Sequence, residues 1–255
     1  MKLLRFATVL GGLVILALAL GFIFQIQFAT NLWPWPDGRL SYLFIGSILA
    51  AVSVAAFWIG WTGEFGALPA GSLNIFVIAV TTSVYFFQLA RDGRPELAPL
   101  GIAGLFSAIV SGAAFLWSRR LPLAGARPTP ALVRVSFGIF TASLIFAGGA
   151  LILGRQIFPW ELNADSSVIF GCIFLGDAFY FLYGLFRPHW HNALGQLLSF
   201  LAYDLVLIVP FILLFKTVQP EHLINLIVYV AVLVYSGVVA MYFLFIHSPT
   251  RNWSQ

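Results

Sequence analysis

Residues 6–26 read FATVLGGLVILALALGFIFQI. The run carries no charge, and its 21 residues wound as a helix at ~1.5 Å each would cover roughly 30 Å, the hydrocarbon thickness of a bilayer. Lys2 and Arg5 precede it, and Ala17-Leu18-Ala19 mimics a cleavage site. A secretory apolar region is shorter, about 7–15 residues. We therefore read the run as a first transmembrane helix that is retained.

The fold follows from how often such a run recurs. Apolar stretches of spanning length are expected at 5–27, 41–62, 71–90, 98–118, 132–154, 166–187, 194–216 and 223–247. Of the 255 residues, 61% are hydrophobic and 9% charged, against about 25% charged in a soluble domain. Pro or Gly breaks each gap, as in Trp33-Pro34-Trp35-Pro36-Asp37-Gly38, Gly63-Glu64-Phe65-Gly66, Phe158-Pro159-Trp160 and Arg187-Pro188-His189. Backbone polar groups have no water at membrane depth, so the spans must be helices; the short alternating segments of a β-barrel are absent from the sequence. The expected fold is all-α, a polytopic membrane bundle of about eight transmembrane helices.

Lys and Arg in the short loops set the expected orientation. With the N-terminus in the cytoplasm, the inside receives Lys2, Arg5, Arg119, Arg120, Arg127, Arg134, Arg187 and Arg251, and the outside Arg39, Arg91, Arg94, Arg155 and Lys216. Both termini are thus expected on the cytoplasmic side of a cell membrane. Trp33, Trp35, Trp58, Trp61, Trp117, Trp160 and Trp190 fall near span ends and Trp253 in the tail, the distribution of an interfacial indole belt. Trp33, Trp35 and Trp160 are read as interfacial anchors.

Shifted by 125 residues, the chain partly matches itself: Pro34-Trp35 meets Pro159-Trp160, Ser41 meets Ser166, Gly46 meets Gly171, Pro95-Glu96 meets Pro220-Glu221, and Ser111-Gly112 meets Ser236-Gly237. These residue types are scarce or positionally meaningful in so apolar a chain, and fixed-period self-similarity marks a repeat. Each half holds four spans, an even number, so the halves run parallel about an axis along the membrane normal. The expected organisation is a first four-helix repeat over 1–120, a cytoplasmic connection over 121–131, a second repeat over 132–247 and a tail over 248–255.

Phe158, Pro159, Trp160, Leu162, Ser166 and Gly171 resemble the F-P-W-x-L helix-start turn of uncharacterised bacterial multi-pass membrane proteins, with Trp33, Pro34, Trp35, Ser41 and Gly46 a looser version. The resemblance implies a bacterial inner-membrane protein and carries no activity. In physical terms Pro fixes φ and ends a helix, while Ser41 and Ser166 are expected to cap the helices that follow.

Two carboxylates fall within spans. Asp177 lies in GCIFLGDAFYFLYGL (171–185), about ten residues before Arg187, and Asp204 lies about ten residues after Leu194. At ~1.5 Å per residue both are expected about 15 Å deep, at one level of an antiparallel hairpin; their rotational facing is left open. A charge at the bilayer centre costs roughly 2.5–3.5 kcal/mol on insertion scales, and spans six to eight hold no intramembrane Lys or Arg. The expected relief is a shared proton and hydrogen bonds from Tyr180, Tyr183, Tyr203, Tyr229, Tyr235 or Ser236. Asp177, Asp204, Tyr180, Tyr203, Tyr235 and Ser236 are the candidate proton- or ion-binding residues. The competing reading is an interhelical hydrogen bond for packing alone. The repeat-equivalent positions are Val52 and Ala79, so any such site belongs to the second half.

His189 and His191 flank Trp190 without a neighbouring Cys or carboxylate, so they read as interfacial or solvated, and no metal or other cofactor is expected. No nucleotide-binding, catalytic-triad or metalloprotease motif occurs, which leaves an enzyme without support, and no basic stripe fits a nucleic acid. Cys172 has no disulfide partner. Two functions remain. One is a carrier or channel-like protein for a small solute or cation, using the two Asp. The other is a non-catalytic membrane subunit or scaffold, with a membrane-protein partner or a second copy as well as the lipid bilayer around it.

Overall fold

The computed structural model describes residues 2–125 and 127–251; Trp253 and the end of the expected tail lie outside the described residues. Eight helices are long and apolar enough to cross a membrane: α1 (Lys2–Ile23), α2 (Arg39–Thr62), α3 (Leu68–Arg91), α4 (Ala98–Ser118), α5 (Ala131–Ile152), α6 (Ala164–Phe186), α7 (Trp190–Leu214) and α8 (Leu223–Met241). Among the described residues there is no strand, only an isolated antiparallel bridge between Pro128 and His189. The chain is an integral, multi-pass, all-α membrane protein.

Helix ends follow local chemistry. α2 stops at Gly63, whose φ of 79° is left-handed and open to a residue without Cβ; its N–H reaches Ile59 O at 2.7 Å. Single 3₁₀ turns, Phe65–Ala67, Pro95–Leu97 and Pro220–His222, lead into α3, α4 and α8. Two of them begin with Pro, which is tolerated where no helical N–H partner exists. α1 ends four residues before the expected 27. There Gln25 takes φ 54°, Ile26 N bonds Gly21 O at 2.8 Å, and a one-turn helix, Gln27–Thr30, folds back. Gly21 permits this, since a Cβ there would stand 2.6 Å from Ala29 Cβ. α7 starts four residues earlier than expected, because Trp190 N already bonds Arg127 O at 2.9 Å.

The described helices group into two compact units: unit 1 joins the first hairpin to the last, and unit 2 is built from the two hairpins between them. Unit 1 comprises residues 1–64, 156–166 and 193–255, and so holds α1, α2, nearly all of α7, and α8. In it α2 lies close along α1. A Cβ on Gly46 would meet Ile23 Cγ1 at 2.6 Å and Ala19 O at 3.0 Å, and one on Gly60 would meet Val9 Cγ2 at 2.7 Å. Small residues recur here every seven positions, at Gly46, Ser53 and Gly60, and all three are buried. Close approach through small residues is how membrane helices gain dispersion contact without a hydrophobic drive. Arg5 then donates from Nε to Gly60 O at 3.1 Å and from Nη2 to Trp61 O, serving carbonyls left open at the end of α2.

Unit 2 comprises residues 65–155 and 167–192, and so holds α3, α4, α5 and nearly all of α6. Gly148 on α5 and Gly171 on α6 meet backbone to backbone: a Cβ on Gly171 would lie 2.7 Å from Gly148 O. Phe181 fills the same helix pair lower down, with ring centroids 5.1 Å from Phe137 and 5.5 Å from Phe140.

Candidate functional site

In unit 1, α7 and α8 bring Asp204 to Ser236, whose hydroxyl donates to Asp204 Oδ1 at 2.9 Å. Both residues are buried, Asp204 at 4% and Ser236 at 2% exposure. Ser236 is followed by Gly237, and a Cβ there would come within 3.5 Å of Asp204 Oδ2. Asp204 Oδ2 is buried and has no hydrogen-bond partner. The same hydroxyl of Ser236 also lies 2.8 Å from Val232 O and 3.2 Å from Leu233 O. One proton serves three acceptors, so Ser236 can turn toward the carboxyl group or away from it. Six residues along α7, Pro210 stands inside the helix and removes the N–H that Val206 O would accept.

One position before the acid, Tyr203 shares a hydroxyl–hydroxyl hydrogen bond with Tyr229 of α8. Aromatic rings enclose the pair: Phe44 is 6.3 Å from Tyr203, and Phe211 and Phe158 are 4.8 and 5.8 Å from Tyr229. Tyr235 is elsewhere, half exposed in an open apolar groove of about 620 Å³ with Phe215, Ile227, Val230, Ala231, Val234 and Val238.

In unit 2, Asn74 on α3 donates from Nδ2 to Asp177 Oδ1 at 2.8 Å. The helices meet closely because Gly176 adjoins Asp177: a Cβ there would stand 2.9 Å from Asn74 O and 2.4 Å from Ile78 Cγ1. Asn74 Oδ1 is buried without a partner. Tyr180, one turn from Asp177, packs edge-on against Phe181 at 5.6 Å. Sequence reasoning missed Asn74. Asn is among the residue types that hydrogen-bond across membrane helices. Each acid thus has an uncharged partner on another helix of its own unit.

No family model, curated sequence or solved structure matches the chain.

The Pro-Trp turns are tied down in unit 1. Trp160 is buried, donates from Nε1 to Ser41 Oγ at 3.1 Å, and packs against Phe158 at 4.5 Å and Phe211 at 5.7 Å. Trp33 donates to Asp37 Oδ2 at 2.7 Å, and Trp35 is buried edge-on to Trp33 at 5.6 Å. Ser166 donates to the same oxygen of Asp37. The expectation that Ser41 and Ser166 cap their helices is therefore corrected. Both lie inside the first turn, where their hydroxyls bond the opposite turn. α2 begins at Gly38 without a side-chain cap, and at α6 it is Asn163 Oδ1 that accepts the Asp165 N–H at 2.9 Å.

His189 is exposed, but His191 is buried at 5% inside the first turn of α7, which corrects its reading as solvated. Among the described residues no group of three His, Cys, Asp or Glu could hold a metal ion.

Proposed function

We propose that this membrane protein is a carrier or channel-like protein for protons or a small cation, with Asp204 and Asp177 as the acids that take up the charge. The carrying observation is Asp204: one carboxyl oxygen held by Ser236, the other buried and unpartnered. A site built only for packing would gain nothing from an acid there, since an orphaned buried oxygen costs ~1–3 kcal/mol. Both partners also suit two protonation states. Ser236 donates to an ionised Asp204 and turns to Val232 O when the acid carries its own proton. Asn74 gives Nδ2–H to an ionised Asp177 and, with its amide turned over, offers Oδ1 to a protonated one. Side chains that satisfy both forms lower the cost of moving a proton on and off.

The chain is further read as two parallel halves. Arg39 and Ala164, which open α2 and α6, are 125 residues apart, as are Pro95 and Pro220 of the 3₁₀ turns and Ala98 and Leu223, which open α4 and α8. The close approach of Gly46 to Ile23 recurs between Gly171 and Gly148, each partner 125 residues on. Moved by one repeat, 1–64 becomes 126–189 and 193–255 becomes 68–130, close to the composition of unit 2. The acids do not recur, which gives the two units separate chemistry on a common plan. With both termini cytoplasmic, the eight spans put Glu64 as the one acid inside, and Asp37, Asp92, Glu96, Glu161, Asp165 and Glu221 outside.

The test is proton- and cation-coupled flux in liposomes with Asp204→Asn and Asp177→Asn, alongside yield and melting. The expected result is loss of flux in Asp204→Asn with the fold retained. Unchanged flux in both variants removes the transport reading and favours the membrane scaffold.

A further inference from the structure

Unit 2 ends in a group of arginines that the proposed transport chemistry does not use. Arg119 and Arg120 follow α4, Arg134 lies in the first turn of α5, and Arg187 follows α6; all four are exposed. Arg127 lies in the strap that joins α4 to α5, and this strap fixes the group. Thr129 N bonds Pro188 O at 2.8 Å and Trp190 N bonds Arg127 O at 2.9 Å, which holds the start of α5 beside the end of α6. The ends of α4 and α6 are joined in turn by Phe115 and Tyr183, in edge contact at 6.1 Å. The Arg119 guanidinium lies 5.8 Å over the Phe115 ring, and Arg187 follows Tyr183 by one helical turn, its N–H on Tyr183 O at 2.9 Å.

Nothing of opposite sign is near in the sequence. No Asp or Glu occurs between Glu96 and Glu161, nor between Asp177 and Asp204. Among the described residues, none of Arg119, Arg120, Arg134 and Arg187 forms an ion pair. Two helix C-termini each place about half a negative charge here. Four full positive charges outweigh them, and the N-terminus of α5 adds to the positive side.

We propose that this end of unit 2 binds the phosphate headgroup of an anionic phospholipid, held between Arg119 and Arg187 beside the Tyr183 hydroxyl. Guanidinium groups give phosphate charge-assisted hydrogen bonds, and basic clefts between membrane helices at the cytoplasmic level select such headgroups by their charge. The apolar surface next to the cluster points to a lipid rather than a free oxyanion. Leu116 and Trp117 on α4 and Phe186 on α6 are exposed at 55%, 42% and 73%, within one turn of the arginines, where acyl chains would continue from the headgroup.

The experiment compares phosphatidylglycerol and phosphatidylcholine of identical chains, retained by the full chain and counted by native mass spectrometry. The wild type should retain the anionic lipid preferentially. R119Q/R187Q should cut that preference about twenty-five-fold, from two arginines each worth about fivefold at a membrane surface. R119K/R187K should keep most of the preference, because the charge remains and the fold is undisturbed. R91Q/R155Q, at the opposite ends of unit 2, should leave it unchanged. A preference surviving in R119Q/R187Q, lost in R119K/R187K, or lost equally in R91Q/R155Q overturns the site. Inorganic phosphate that displaces the lipid at millimolar concentration overturns the lipid assignment in favour of a soluble oxyanion.

Discussion

Ser236→Ala removes the one hydrogen bond that Asp204 makes. Both carboxyl oxygens are then buried without a partner, because Oδ2 already has none. Interhelical hydrogen bonds in bilayers average ~0.6 kcal/mol and reach ~1.7 kcal/mol. Exposures of 4% and 2% at the two residues place this bond toward the upper end, so Ser236→Ala should cost about 1.5 kcal/mol, close to tenfold in the folding equilibrium. The cycle with Asp204→Ala isolates that quantity. Once the acid is gone, the Ser236 hydroxyl still has Val232 O at 2.8 Å, so removing it should cost almost nothing. Asp204→Ala itself relieves an acid whose insertion costs roughly 2.5–3.5 kcal/mol, less the bond it forfeits and the small cavity it leaves. It should be neutral to stabilising while flux disappears. Reversible unfolding in bicelles measures all four species, and liposome flux measures the function. A cost for Ser236→Ala that is the same with and without Asp204 would refute the reasoning, since the serine would then serve its helix and not the acid.

Two further predictions concern the fold and its orientation. Gly171→Ala should destabilise by about 1–3 kcal/mol, and more than Gly46→Ala. Its Cβ meets the Gly148 carbonyl, whereas that of Gly46 meets first the rotatable Ile23 side chain; bicelle unfolding showing the reverse order would count against these contacts. In a Cys172→Ala background, Asp92→Cys should react with an impermeant maleimide on intact cells, and Ala124→Cys only after permeabilisation. The opposite pattern inverts the orientation.

The eight spans were legible because length and apolarity alone decide whether a helix can cross a bilayer. Their ends were less so. FIFQIQF (22–28) carries no charge, Pro or Gly to mark a helix end, yet Gln25 turns the chain in a left-handed conformation that hydropathy does not register. Asp177 and Asp204 stood out by their cost in hydrocarbon, and Ser236 could be named as a partner. Asn74 could not, because it lies in LPAGSLNIF (68–76) near a helix start, where a polar residue costs little and attracts no notice. Ser41 and Ser166 occupy sequence positions that suit a cap. Their actual bonds run to Trp160 and Asp37, more than a hundred residues away, and local spacing holds no information about such a partner. The grouping of hairpins into units was equally hidden, since every hairpin offers similar apolar faces.

That grouping has a consequence for assembly. Unit 2 is drawn from 65–155 and 167–192, so the Asn74–Asp177 bond can close as soon as α6 is inserted. Unit 1 joins the first hairpin to the last, and Asp204 enters on α7 before α8 supplies Ser236. For that interval the acid lacks its Ser236 bond, at a cost of roughly 2.5–3.5 kcal/mol. The 25 residues of α7 are otherwise uncharged, and its many Leu, Ile, Val and Phe, each contributing about −0.3 to −0.6 kcal/mol near the helix centre, can carry that burden into the bilayer. An acid kept at the last position to be satisfied is a burden in assembly that packing alone could avoid with an apolar residue, which is why the unpartnered oxygen of Asp204 argues for use of the charge.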